Sequence, residues 1–277
     1  MKSFTLNLKE EYTFLQGGTL QAIIEAMPYD GNPTDWKRPA VIVVPGGGYG
    51  NVSAREAEPV ATAFLARGFH TFILKYLCAP QGVRYPEQLL ELASAVDCVR
   101  KNAEEWNVNP DEIFVVGFSA GGHLTANLAV EYPVVSQKAG VELNCKPTAV
   151  GLGYPVISKV NGHQGSYINL LQGYSEEEQA ELLKTLNLNE AVSETTAPAF
   201  LWATAEDGAV PVDNTIRYAQ ALSERGIAFE VHIYPKGNHG LSTCNHENNV
   251  ITPYLRRTSR WVDDCAAFFR LYIKEDF

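Results

Sequence analysis

The sequence predicts an α/β architecture: a mostly parallel central sheet of about eight strands, with helices on both faces. Three observations predict it. Continuous apolar runs such as Ala40-Val41-Ile42-Val43-Val44 have the pattern of strands buried on both sides. They alternate with helical periodicity, as in Leu89, Ala93, Val96 and Val99, which is how crossover connections in a parallel sheet read. The residues with chemical meaning also fall just after strands, at the carboxyl edge where open α/β sheets bind ligands.

In chain order, residues 4–8 and 20–27 are strand candidates that form an antiparallel entry to the sheet. The buried run 40–44 follows, then a glycine loop and a helix over about 56–67. Residues 69–76 make the next strand. Pro86 opens a helix at its first turn; this helix runs to about residue 106, and Asn107-Val108-Asn109-Pro110 ends it. Strand 113–117 leads into a third helix and then strand 148–154. Two further strands cover 198–204 and 229–234. Between them Val212, Ile216, Ala219 and Leu222 mark a helix's buried stripe. A closing helix covers about 259–273. Residues 155–197 exceed a minimal crossover. Within them Ser175-Glu176-Glu177-Glu178 reads as a capping box that opens a short acidic helix through Leu186. Such an excursion is either a lid-like wall of the site or a solvated crossover.

Nothing divides the 277 residues: there is no linker, charge block or internal repeat, so a single domain is expected over 1–277. A core of that size buries about three quarters of the unfolded surface without help from disulfides or metal. With 22 Lys plus Arg against 32 Asp plus Glu, the net charge is −10, which disfavours nucleic acid and anionic membranes as partners. The amino terminus alternates like a strand and carries no apolar leader core, and no stretch approaches membrane-spanning length. The five cysteines, at 78, 98, 145, 244 and 265, are scattered and odd in number. They read as reduced, buried thiols of a cytoplasmic protein. A homodimer is compatible with this composition.

The most informative segment is Gly117-Phe118-Ser119-Ala120-Gly121. It sits between the apolar run Ile113-Phe114-Val115-Val116 and the helix-forming Gly122-His123-Leu124-Thr125-Ala126. Gly-x-Ser-x-Gly between strand and helix is the context of a nucleophile elbow. A serine on so tight a turn has a strained backbone, and its glycine neighbours avoid clashes by lacking Cβ atoms.

A serine hydroxyl needs a base to take its proton, and the base needs a third group to fix its tautomer. In this order of elements the acid and then the histidine should follow the serine, each just past a strand. Strand 198–204 is followed by Ala205-Glu206-Asp207-Gly208, and strand 229–234 by Pro235-Lys236-Gly237-Asn238-His239-Gly240. Asp207 and His239 are therefore the expected partners of Ser119. Each has a plain alternative, a turn aspartate and a loop histidine. Glu206 and Asp213 are rival acids, one pointing away from its neighbour and the other inside a helix. Among the other histidines, His232 alternates within a strand, His123 follows the elbow, and His246 lies in an Asn-rich loop.

An oxyanion hole needs backbone N–H groups aimed at developing charge. Ala120, directly after the serine, supplies one. Pro45-Gly46-Gly47-Gly48-Tyr49-Gly50 follows the strand ending at Val44, and Gly47 and Gly48 are the expected further donors. A phosphate cradle is the alternative for such a loop, but neither a Gly-Lys-Ser/Thr ending nor Gly-x-Gly-x-x-Gly spacing is present.

With these residues placed, the chain resembles the α/β-hydrolase superfamily. More narrowly it resembles bacterial acetyl esterase/lipase-like enzymes of the acetylxylan or sugar esterase kind. Pro-Gly-Gly-Gly-Tyr, the Arg55-Glu56 pair, Gly-Phe-Ser-Ala-Gly-Gly-His, Asp-x-x-Val-Pro and Gly-x-His-Gly carry the resemblance across nearly the whole chain. It implies a Ser119, Asp207 and His239 triad, a small-molecule ester substrate, and neither metal nor cofactor. The loop reads Pro-Gly-Gly-Gly where the hormone-sensitive-lipase-like branch has His-Gly-Gly-Gly. About forty residues precede the loop, too few for that branch's amino-terminal cap. No large cap domain and a shallow site for short acyl groups are the expectations. Tyr49, Asn51 and Tyr76 are candidates for lining the alcohol side of the site, each with an equally good structural reading. A prolyl-oligopeptidase-like peptidase and a non-catalytic binding protein on the same scaffold are the competing readings. The first lacks a preceding propeller, and proteins of the second kind usually lose a triad member.

Overall fold

The computed structural model describes residues 1–25 and 36–274. An eight-stranded sheet runs in the order β1-β2-β4-β3-β5-β6-β7-β8. β1 (Lys2–Asn7) and β2 (Thr19–Ile24) form the antiparallel entry, with β2 also antiparallel to β4 (His70–Lys75). Residues 26 and 27, the end of the second expected strand, lie outside the described residues. The remaining neighbours are parallel: β3 (Arg38–Val44), β5 (Val108–Phe118), β6 (Val150–Gly153), β7 (Ala199–Thr204) and β8 (Phe229–Tyr234).

Helix α1 (Leu8–Glu11) is a single turn, and α2 (Glu58–Leu65) follows β3. Helices α3 (Glu87–Lys101) and α4 (Ala120–Ala139) flank β5. The 155–197 excursion holds α5 (Gln164–Leu170), α6 (Glu176–Leu186) and α7 (Leu188–Ala191). Helix α8 (Asp213–Glu224) links β7 to β8, and α9 (Pro253–Thr258) and α10 (Trp261–Arg270) close the chain.

Strand alternation sorts the core into two layers. Ala40, Ile42 and Val44 of β3 and Val115 of β5 pack with Val96, Leu124 and Leu222 from α3, α4 and α8. The intervening Val41, Val43, Phe114 and Val116 face Phe64 of α2 and Trp261 and Phe269 of α10. Both faces are thus covered, which is why the strands read as unbroken apolar runs. All five cysteines are buried free thiols, and no described helix is long and apolar enough to cross a membrane.

Two expectations need correction. Helix α3 ends at Lys101, and Val108 already pairs with Arg38 as β5 begins. The chain turns because Trp106 tucks between Phe4 and Phe72, its ring centroid 5.5 Å from each, which a continuing helix would not permit. On α8 the buried set is Asn214, Thr215, Tyr218, Ala219 and Leu222, while Ile216 is exposed. Asn214 takes the inward place because its amide is fully used. Its Oδ1 accepts from the N–H groups of Ile157 and Ser158, and its Nδ2 donates to the Asn161 carbonyl. The expected capping box at Ser175 and Glu178 is present.

Register places the site. Val44 lies opposite Gly117, so the glycine loop and the elbow leave neighbouring strands at one level. Thr204 lies opposite Tyr234, so the loops carrying Asp207 and His239 emerge side by side.

Candidate active site

Ser119 stands between β5 and α4 with φ 54° and ψ −120°, a backbone that side-chain-bearing residues rarely adopt. The surrounding structure holds it there. Its N–H donates to the Gly153 carbonyl at 3.0 Å, and its own carbonyl accepts from the N–H groups of His123 and Val156. The flanking glycines serve a steric need: a Cβ on Gly117 would lie 2.2 Å from the Gly121 carbonyl oxygen, and one on Gly121 would lie 2.2 Å from that of Val44.

The three residues singled out in the sequence meet. Ser119 Oγ is 2.8 Å from His239 Nε2, and His239 Nδ1 is 2.7 Å from Asp207 Oδ2. Asp207 is buried, and its other oxygen accepts the N–H groups of Ala209 and Val210, both at 2.9 Å. Those two bonds fix the carboxylate so that Oδ2 faces the imidazole. A carboxylate oxygen accepts, so the ring proton sits on Nδ1 and the lone pair of Nε2 points at the serine hydroxyl. The rival acids are engaged elsewhere, Glu206 with Lys236 and Asp213 with Arg217 and Asn161. Of the rival histidines, His232 pairs with Glu230 on the sheet and His246 is exposed.

A cavity of about 280 Å³ opens over Ser119 and His239, with Gly47, Gly48 and Asn51 on its wall. Backbone φ values of 124°, 62° and 57° at Gly47, Gly48 and Tyr49 bend this loop through the left-handed region. Ala120 is the first residue of α4, where helical N–H groups lack an intrahelical acceptor. Gly47, Gly48 and Ser119 thus line one cavity, with the start of α4 directly after the serine.

Tyr49 and Tyr76 do not line this cavity, which corrects the expectation for both. The loop's left-handed turn sends Tyr49 into the core, where it is 1% exposed and its hydroxyl lies 2.9 Å from His123 Nδ1. Tyr76 is also buried, and its hydroxyl donates to the Pro45 carbonyl at 2.8 Å. His123 is the third member of this support. Its Nε2 donates to the Leu186 carbonyl at 3.1 Å, and burial pushes its pKa down to about 4. A neutral His123 thus ties the glycine loop to the elbow helix and the excursion.

Other residues, to which the sequence assigned no place in the site, reach the cavity. His163, from the excursion, lies on its wall and bonds Ser166 Oγ at 3.0 Å. Arg55 donates to the Gly240 carbonyl, next to His239. Glu56 is 3% exposed and joins two sides of the site. One of its oxygens accepts the Gly46 N–H at 2.8 Å and the other accepts the Tyr154 hydroxyl at 2.7 Å. Tyr154 in turn accepts the Ser242 N–H and packs its ring against His239, with centroids 4.9 Å apart. Burial raises the Glu56 pKa, opposed by its bonds to Tyr154 and Gly46. The Arg55-Glu56 pair was visible as part of the resemblance, but its partners are separated too widely in sequence to be read from it.

The BD-FAE family model matches residues 29–222, well over half of the chain. The chain belongs to the BD-FAE family. Over 251 residues it is 33% identical to endo-1,4-beta-xylanase B of Butyrivibrio fibrisolvens, covering 89% of this chain and 39% of that protein. It is 32% identical over 246 residues to an acetylxylan esterase of Xylanibacter ruminicola, covering 86% of this chain and 46% of the relative. The chain thus spans less than half the length of either curated relative. Among solved structures it resembles an acetyl ester-xyloside bifunctional hydrolase from Caldicellulosiruptor lactoaceticus, with 30% identity, a TM-score of 0.81, and coverage of 97% of this chain and 96% of that one. The BD-FAE chain accordingly has the α/β-hydrolase fold.

Proposed function

We propose that this BD-FAE member hydrolyses short-chain acyl esters, acetyl above all, carried by sugars or xylo-oligosaccharides, through a serine acyl-enzyme. The observation that carries the reading is the unbroken chain from Ser119 Oγ through His239 to Asp207, 2.8 Å and 2.7 Å long, at the floor of a cavity. Similarity to proteins named acetylxylan esterase and acetyl ester-xyloside hydrolase supports the sugar ester as substrate class.

In this reading Ser119 Oγ attacks the ester carbonyl carbon while His239 Nε2 takes its proton. The new oxyanion is held by the N–H groups of Gly47, Gly48 and Ala120, where losing one donor typically costs about 3–4 kcal/mol. Asp207 keeps the imidazole in the required tautomer and balances its positive charge. Collapse breaks the carbon–alkoxy bond, and His239 passes its proton to the departing alcohol. Water, deprotonated by the same nitrogen, then attacks the acyl carbonyl and restores Ser119. No step requires a metal or a cofactor.

Ser119→Ala is expected to lower hydrolysis of 4-nitrophenyl acetate by about 10⁴-fold or more while its circular dichroism and melting temperature match the parent. Turnover retained in that variant overturns the mechanism. In the parent, activity falling steeply beyond about four acyl carbons is expected from so small a cavity; flat activity to long chains contradicts the short-acyl assignment.

A further inference from the structure

Beside the cavity over Ser119 lies a second hollow of about 550 Å³, and the two share Arg55 and His239. Its remaining wall comes from the loop after β8 and the approach to α9, including Lys236, Asn248, Asn249 and Tyr254. Nothing in the mechanism above uses these residues.

Their chemistry is specific. Tyr254 is 54% exposed, a large aromatic face with no ring partner among the described residues. Asn248 Nδ2 is buried and has no hydrogen-bond acceptor among the described residues, an arrangement that is costly unless a ligand completes it. Asn249 Nδ2 donates to the carbonyls of Leu241 and Asn245, which fixes its amide in the wall. Lys236 and Glu206 form an ion pair at the rim, and Arg55 donates to the Gly240 carbonyl, so the hollow offers several polar donors and an acceptor. An aromatic face beside amides and an ion pair suits a ring that bears hydroxyls on its edge and C–H groups on its face. A lipid chain would leave the Asn248 amide unpaired.

Mechanistic geometry gives the hollow a place in the reaction. With the carbonyl oxygen directed at Gly47, Gly48 and Ala120, the alkoxy oxygen must lie on the His239 side, because Nε2 returns the proton to it. Whatever the alkoxy oxygen carries therefore extends past His239, and the adjoining hollow is there to receive it. We infer that the hollow formed by Lys236, Asn248, Asn249 and Tyr254 is the subsite for the alcohol portion of the ester and that it takes a pyranose unit. This assignment rests on the esterase reading above.

The test compares two substrates in the full chain, 4-nitrophenyl acetate and acetylated xylotriose. Tyr254→Ala and Asn248→Ala are each expected to lower the ratio of kcat/KM for the sugar ester to that for the nitrophenyl ester at least about fivefold, mainly by raising the sugar ester's KM. Unchanged melting temperatures keep folding out of the comparison. A ratio that stays constant in both variants overturns the subsite. So does a parent enzyme that turns over nitrophenyl acetate but not acetylated xylotriose, and that result leaves the esterase reading standing. A parent inactive on both substrates removes the esterase reading, and the subsite falls with it.

Discussion

The elbow around Ser119 and the loop over Pro45–Asn51 are both rich in glycine, yet Gly117 and Gly121 of the elbow and Gly48 of the loop use it for opposite reasons. At Gly117 and Gly121 the need is space, since an added Cβ would sit 2.2 Å from a backbone carbonyl oxygen that has nowhere to move. At Gly48 the need is torsion: φ is 62°, but the nearest atom to an added Cβ is His163 Cε1 at 3.7 Å, an ordinary contact. Gly117 and Gly121 are locked by packing and Gly48 by the cost of a left-handed backbone, while Gly47 shares the elbow's need for space, since its added Cβ would lie 2.1 Å from the Asn51 carbonyl oxygen. The backbone at Ser119 is thus held by close packing of its glycine neighbours, whereas at Gly48 the backbone's own conformation sets the demand.

Substitutions can break this comparison, beginning with the largest effect. Gly121→Ala is expected to cost more than about 4 kcal/mol, enough to prevent accumulation of folded protein, because the clash is with the carbonyls of Val44 and Pro45. Soluble expression and a melting curve check it; a variant that melts like the parent contradicts the packing argument. Glu56→Gln comes next. The new amide donor must face either the Gly46 N–H or a Tyr154 hydroxyl that already accepts from Ser242. A loss of about 1–3 kcal/mol in stability is expected. A fall in kcat of roughly ten- to a hundredfold with little change in KM should accompany it, since the residue positions both the donor loop and the ring beside His239. Kinetics and chemical denaturation separate the two effects, and an unaltered kcat removes the positioning role. Gly48→Ala is the mildest, about 1–2 kcal/mol of torsional strain with the fold retained. If Gly48→Ala proves as damaging as Gly121→Ala, the distinction between space and torsion fails.

Legibility in the sequence followed the same division. The elbow, the acid and the histidine could be read because each depends on a short pattern at a strand end, and the strands announce themselves by apolar runs. Ile216 was placed on the buried stripe of α8 because its spacing and hydrophobicity suit it. Asn214 displaced it for a reason no periodicity contains, a set of hydrogen bonds to residues 157, 158 and 161. Trp106 likewise ended α3 early by packing on Phe4 and Phe72, residues far away in the chain. His163 and Glu56 gave no readable signal of their place in the site, since it comes from the excursion folding onto the glycine loop and from bonds to Gly46 and Tyr154.

By itself the sequence determined the eight-strand α/β plan and the strand-end positions of Ser119, Asp207 and His239, because strand runs, glycine turns and their order are properties of local backbone. Only the tertiary structure decided which side chains face the cavity. Tyr49 and Tyr76 turn inward to support the loop and His123, while His163 and Arg55 reach the wall. The physical reason is that a side chain's direction follows from the partners that satisfy it, and those partners come from strands and loops that only the folded sheet brings together.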